Sequence, residues 1–126
     1  MNEIPPIKDA ATAFLQLVVS GNVQEAYNRF VGEGFRHHNP HFHGDAESLR
    51  VAMDQDARAN PDKVLEVQHA LHEGNLVMVH SRLRLRAQKQ DMAVVHVFRF
   101  EGLRIMELWD IGQFQPEHVV NEHGMF

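Results

Sequence analysis

The stretch MAVVHVFRFEGLRIMELWDIGQ, residues 92–113, decides how the rest of the chain reads. Apolar residues fill both parities of a strand from Met92 to Phe100 and again from Arg104 to Gln113, with Glu101-Gly102 as the turn between them. The pattern predicts a β-hairpin buried on both faces. Two apolar faces leave little room for polar side chains, yet His96 falls in the middle of the first strand and Asp110 in the second. An unpaired buried polar group costs on the order of 1–3 kcal/mol, so these two need each other, a solvent pocket or a ligand.

Side-chain alternation says which residues can meet. Val94, His96 and Phe98 point one way, and Val95, Val97 and Arg99 the other. With a three-residue loop at 101–103, His96 is expected to face Leu108 and to lie diagonal to Asp110, within hydrogen-bond reach. A two-residue loop would invert that parity. Arg99 and Glu107, also diagonal, suit an ion pair on the opposite face. On the preceding strand His80 shares the parity of Met78 and Arg82, and a register centred on residues 88–90 would bring it beside His96 or Phe98. A carboxylate next to His96 would fix its tautomer and raise its pKa, leaving the second ring nitrogen as a general base. The competing reading is a histidine that is simply satisfied within a sheet.

Outward from the hairpin, the chain is read as helices followed by strands. Residues 5–20 carry Ile7, Ala10, Ala11, Phe14, Leu15 and Val18 at helical spacing, with Pro5-Pro6 at the start and Ser20-Gly21-Asn22 at the end. Residues 23–31 form a second short helix, and Gly32 and Gly34 then break the pattern. Residues 45–59 are helical again, with Leu49, Ala52, Met53 and Ala57 inward and acidic residues at the start, where the helix dipole favours them. Residues 64–72 alternate as a strand with Leu65, Val67, His69 and Leu71 on one face, and 76–86 form a longer one. Three helices and then a meander of four strands predict an α+β fold, with an antiparallel sheet covered by helices on one face. The other face, with Val95, Val97, Trp109 and Ile111, then calls for a second copy of the chain, hence a homodimer.

Composition bounds the alternatives. At 126 residues, residues 1–126 are expected to form one domain. A composition 44% hydrophobic and 23% charged is that of an ordinary soluble protein, and no apolar run approaches a membrane span. The amino-terminal MNEIPPIKD has no basic segment leading into an apolar one, so a cytoplasmic location is expected. The absence of cysteine excludes disulfides, thiolate nucleophiles and Cys-based zinc sites. A net charge of −5 argues against a nucleic-acid partner.

The run FRHHNPHFHG, residues 35–44, concentrates His37, His38, His41 and His43 in a chain that has 10 histidines in all. Metal binding is its sharpest reading. A site needs three or four converging ligands, however, while adjacent His37 and His38 point apart and no carboxylate lies nearby before Asp45. No metal is therefore assigned. In the other reading His38 and Asn39 enter the pocket and Pro40 turns the chain out.

These residues resemble a known group. His38-Asn39-Pro40 after the second helix, His80 in VMVH, VHVFRF at 95–100, then Gly102, Arg104-Ile105, Glu107-Leu108-Trp109-Asp110 and Gln113 are similar to the nuclear-transport-factor-2-like superfamily. Within it the resemblance is to SnoaL-like polyketide cyclases and aldol-condensation enzymes. It implies a cone-shaped, cystatin-like fold of three helices on a strongly curved, mostly antiparallel sheet, a deep apolar pocket and commonly a dimer. It also implies cofactor-free removal of a proton next to a carbonyl by an acidic pocket residue. This chain has His96 where the family usually has aspartate and Leu108 where it usually has histidine, while Asp110 is retained. His96 becomes the candidate base with Asp110 as its partner, and His80, His38 or Asn39 a candidate donor to the enolate oxygen. Phe98, Leu108, Met78 and Phe14, with His38 and Asn39, are expected to line a pocket for a small hydrophobic carbonyl compound. The alternative is a non-catalytic ligand-binding or dimerisation module of the same fold.

Overall fold

The computed structural model describes residues 6–126; Pro5, read above as part of the first helix start, lies outside them. The order is α1 (Ile7–Val19), α2 (Val23–Phe30), β1 (Val31–His37), α3 (Ala46–Ala59), β2 (Val64–Glu73), β3 (Leu76–Leu85), β4 (Gln90–Glu101) and β5 (Arg104–Phe114), with a short 3₁₀ turn at Arg86–Gln88. The strands form one open mixed sheet in the order β1-β5-β4-β3-β2. The architecture is α+β, with three helices packed on the sheet, and all pairs antiparallel except β1 with β5.

The helices form where the apolar spacing places them. In α1, Ala10, Ala11, Phe14, Leu15 and Val18 are buried, and Gly21 at φ +90° lets the chain leave the helix. In α3 the Asp45 carboxylate accepts from the Ser48 amide at 3.0 Å, satisfying a free N–H of the first turn. Both helices press on the inner sheet face, where Val77, Val79, Phe98, Phe100, Ile105 and Leu108 join Phe14 and Leu15 in one core. Phe14 meets Phe98 edge-on at 5.9 Å.

Three features of the sheet differ from the expected four-strand meander. The segment with Gly32 and Gly34 is a fifth strand, β1, on the far side of β5. Its pairing slips between Val31 and Arg36, where Gly34 sits at φ +86°. A Cβ on Gly32 would stand 2.3 Å from Met106 Sδ, so this glycine is required by close approach. In β2 a register shift between Val67 and His69 moves the inner face onto Ala70, opposite Val79, and leaves Leu71 on the outer face at 63% exposure. In the hairpin, Glu101 pairs with Arg104 around a two-residue turn, which alone would invert the parity. A bulge between Ile105 and Glu107 then adds one residue to β5 and restores it, so that His96 stands directly opposite Asp110, Phe98 opposite Leu108, and Arg99 opposite Glu107.

The outer face carries Val95, Val97, Trp109, Met78, Leu71 and Ile111, the last three exposed. At one end Phe126 lies under the Arg82 guanidinium, 4.4 Å away. No helix among the described residues is long and apolar enough to cross a membrane.

Candidate functional site

A cavity of about 600 Å³ opens between the helices and the inner sheet face. Leu15 and Val18 of α1, Leu49 and Met53 of α3, and Leu65, Leu83 and Val94 of the sheet give it apolar walls. His96 and Asp110 lie on one wall, with Asn39 to Phe42 along the rim. Gly112, one rung beyond Asp110, leaves room for the Met92 side chain, whose Cε would be 2.1 Å from a Cβ there.

Of the nine residues expected in the pocket, the structure brings three together. Asp110 Oδ2 accepts from Asn39 Nδ2 at 3.0 Å, and His96 faces Asp110 directly from the neighbouring strand. Asn39 is fixed from several sides. Its Oδ1 accepts from the His41 amide at 2.9 Å, and its own amide donates to His37 Nδ1 at 3.1 Å. His37, 6% exposed, has its Nε2 2.6 Å from the His43 carbonyl oxygen. Because Nδ1 accepts, Nε2 carries the proton and donates it. Within the histidine run, the His37 ring together with backbone atoms of His41 and His43 thus holds a loop that delivers one amide to one carboxylate. Among the described residues no group of three His, Asp or Glu side chains is placed to hold a metal ion.

The other six lie elsewhere. His80 and Met78 are on the outer face, because β3 pairs with β4 as Val79 to His96 and His80 to Val95. His80 Nδ1 lies 3.0 Å from His69 Nδ1, and Met78 is 45% exposed. His38 also turns away from the cavity: its ring stacks on Trp109 at 4.8 Å and its Nε2 meets Glu107 Oε2 at 2.6 Å. Phe98, Leu108 and Phe14 are sealed in the core behind the wall; His96 stacks on Phe98 at 6.1 Å.

The electrostatics of His96 also differ from expectation. Asp110 does raise its pKa, but burial acts more strongly in the other direction and lowers it from 6.5 to about 4. The imidazole is neutral at neutral pH. Its Nδ1 is inaccessible and has no hydrogen-bond partner, which leaves Nε2 as the nitrogen on the cavity side. Asp110 is bonded to Asn39 rather than to His96.

Two polar wall residues were not anticipated. Lys63 and Asp56 line the far end of the cavity, paired to each other. The signal was present: the inward parity of Leu65 extends back one alternation to Lys63.

Residues 11–108 match the family model of the SnoaL-like domain, which is most of the chain. The chain belongs to the SnoaL-like domain family. Solved structures bear out the fold. An NTF2-like protein of unknown function from Cytophaga hutchinsonii aligns with a TM-score of 0.71 at 18% identity, covering 90% of this chain and 95% of its own. A SnoaL-like polyketide cyclase from Agrobacterium tumefaciens aligns with a TM-score of 0.71 at 15% identity, covering 87% and 93%. An uncharacterised cystatin-fold protein from Novosphingobium aromaticivorans gives 0.71 at 18%, covering 86% and 99%. No curated protein sequence matches the chain. In this SnoaL-like chain the matched segment stops two residues short of Asp110, so that carboxylate has to be argued from its own geometry.

Proposed function

We propose that this SnoaL-like protein binds a small hydrophobic carbonyl compound and performs cofactor-independent acid–base chemistry on it, of the aldol-cyclisation or isomerisation type. The observation that carries this reading is the facing pair of Asp110 and His96 on the wall of a largely apolar cavity. In this reading Asp110, oriented by Asn39, takes the proton from the carbon next to the carbonyl. Neutral His96 donates a hydrogen bond from the cavity-side nitrogen to the oxygen that becomes the enolate. The enolate carbon then attacks a second carbonyl or is reprotonated elsewhere, and Asp110 returns the proton. This assigns the base to Asp110 in place of His96. The reason is that an imidazole whose conjugate acid has a pKa of about 4 is a weak base at neutral pH yet still a good donor.

The test is hydrogen–deuterium exchange at the carbon beside the carbonyl of a straight-chain methyl ketone, followed by proton NMR. Wild-type protein should accelerate exchange. Asp110→Asn should abolish the acceleration, and His96→Leu should reduce it on the order of a hundredfold, the usual effect of losing one oxyanion donor. A ketone that binds saturably with no accelerated exchange would favour the second reading, a non-catalytic ligand binder. That reading draws support from the lack of any bond between His96 and Asp110.

The homodimer belongs to the same proposal. Leu71 and Ile111 are 63% and 65% exposed on the outer sheet face that also holds Val95, Val97 and Trp109, and a second copy would cover them. Light scattering should give twice 14.5 kDa at micromolar concentration, and a one-chain mass would remove the dimer.

A further inference from the structure

Lys63 is an unusual residue to find in the wall of an apolar cavity. Its side chain is only 5% exposed, whereas a lysine normally keeps its ammonium in water. The Nζ has one hydrogen-bond partner, Asp56 Oδ2 on α3. An ammonium has three protons to give, so two donors remain in a position with almost no solvent. Asp56 is half exposed, with Oδ2 on Lys63 and Oδ1 accepting from Asn60 Nδ2, so its carboxylate faces solvent while Lys63 stays inside. The pair sits where the α3–β2 connection closes the cavity, beside Asn60, which bonds both Asp56 and Gln88.

Its distance from the proposed reacting end follows from the register. Val64 pairs with Arg84, and Arg84 with Asp91, five residues along β4 from His96. Lys63 lies one residue further on, so at about 3.4 Å per residue along the strands and about 4.8 Å for each of the two strand spacings crossed the separation is roughly 22 Å between backbones. Both side chains reach inward over part of it, leaving about 10 Å of apolar wall between them, made by Leu65, Leu83 and Val94.

We infer that Lys63 is a second ligand anchor: the cavity takes an elongated apolar carbonyl compound that carries an oxygen acceptor, neutral or anionic, about 10 Å from the reacting carbonyl. The inference rests on the proposed function for the identity of the reacting end, but not on turnover. Acceptor oxygens at both ends satisfy both sets of polar groups, whereas a hydrocarbon end would leave the two Lys63 donors buried and unpaired.

The test is calorimetric binding of three probes: a straight-chain ten-carbon methyl ketone, the same ketone ending in a hydroxyl, and the same ketone ending in a carboxylate. Wild-type protein should bind at least one of the oxygen-ended ketones on the order of tenfold more tightly than the plain one, the least expected of a hydrogen bond from a charged donor. Lys63→Met should erase that difference while retaining the plain ketone, and Lys63→Arg should keep it. Asp56→Asn separates the two acceptors, because losing its charge should tighten the carboxylate ketone and barely move the hydroxyl one. Equal binding of all three probes by wild-type protein, or a preference that survives Lys63→Met, overturns the anchor and leaves the cavity reading intact. Failure of every probe to bind overturns the cavity reading and the anchor with it.

Discussion

Replacing His96 by leucine should change how the stability of the protein depends on pH, and the size of that change can be worked out. The imidazole has a pKa of about 4 in the folded chain and 6.5 when free of it. Between those values the unfolded state binds the proton and the folded state does not, so stability rises with pH. The contribution is complete above pH 6.5 and is lost as pH falls through the folded value. The whole gap corresponds to about 3 kcal/mol at 1.36 kcal/mol per pH unit, and roughly 2 kcal/mol of it should already be gone at pH 5. Urea unfolding of wild type and His96→Leu at pH 7, 6 and 5 isolates the effect, since the other nine histidines are common to both proteins. The wild type should lose about 2 kcal/mol relative to the variant between pH 7 and 5. Parallel pH curves for the two proteins would show that the ring is not held neutral by burial, and the donor role assigned to it would fall with that.

Other perturbations test other parts of the site and its support. Asn39→Ala removes the amide bonded to Asp110 and should slow exchange at the ketone ten- to a hundredfold with binding nearly unchanged; equal rates would show that Asp110 needs no orientation. Glu107, buried under Arg36, His38 and Arg99, has its pKa lowered to about 2, chiefly by the Arg36 and His38 hydrogen bonds. Its depressed pKa gives stability that is present above pH 4.5 and lost toward pH 2. Glu107→Gln should cost about 1–2 kcal/mol at neutral pH, discounted because Arg36 is largely exposed and screened, and should flatten the acid limb of the unfolding curve. Phe98→Ala opens the core where Phe14 and Phe100 meet it and should cost about 3–5 kcal/mol by denaturant melt.

The helices were legible because each buries one stripe, and a stripe is written locally: Ala10, Phe14 and Val18 are enough to read α1. The strand β1 was not, for a physical reason. Its sequence VGEGFRH has no alternation, its two glycines look like a break, and its partner β5 lies some seventy residues away in a parallel pairing that no local pattern announces. The inner and outer faces of β3 were misassigned for a related reason. The connection from Leu85 to Gln90 spans four residues and ends on Lys89 at φ +50°, which fixes the register as Leu85 to Gln90. A loop one residue longer or shorter would have turned His80 and Met78 inward. Parity within a strand is therefore readable, whereas parity between strands depends on loop lengths that the apolar pattern leaves open.

The same sensitivity bears on the proposed chemistry. A two-residue turn alone would set His96 opposite Trp109 and send Asp110 to the outer face; the extra residue at Met106 is what places both polar groups in the cavity. That bulge is held from the side, because Met106 fills the space that a side chain at Gly32 would occupy. The edge strand with the least legible sequence therefore fixes the position of the carboxylate. Beyond Gly34, β1 runs on to His37, whose ring ties down the loop that brings Asn39 to the same carboxylate. One short strand thus fixes Asp110 twice, through the register of β5 and through its hydrogen-bond partner. Of the glycines that looked like a break in the pattern, Gly32 lets β1 lie close enough to do so and Gly34, at φ +86°, accommodates the slip in its pairing.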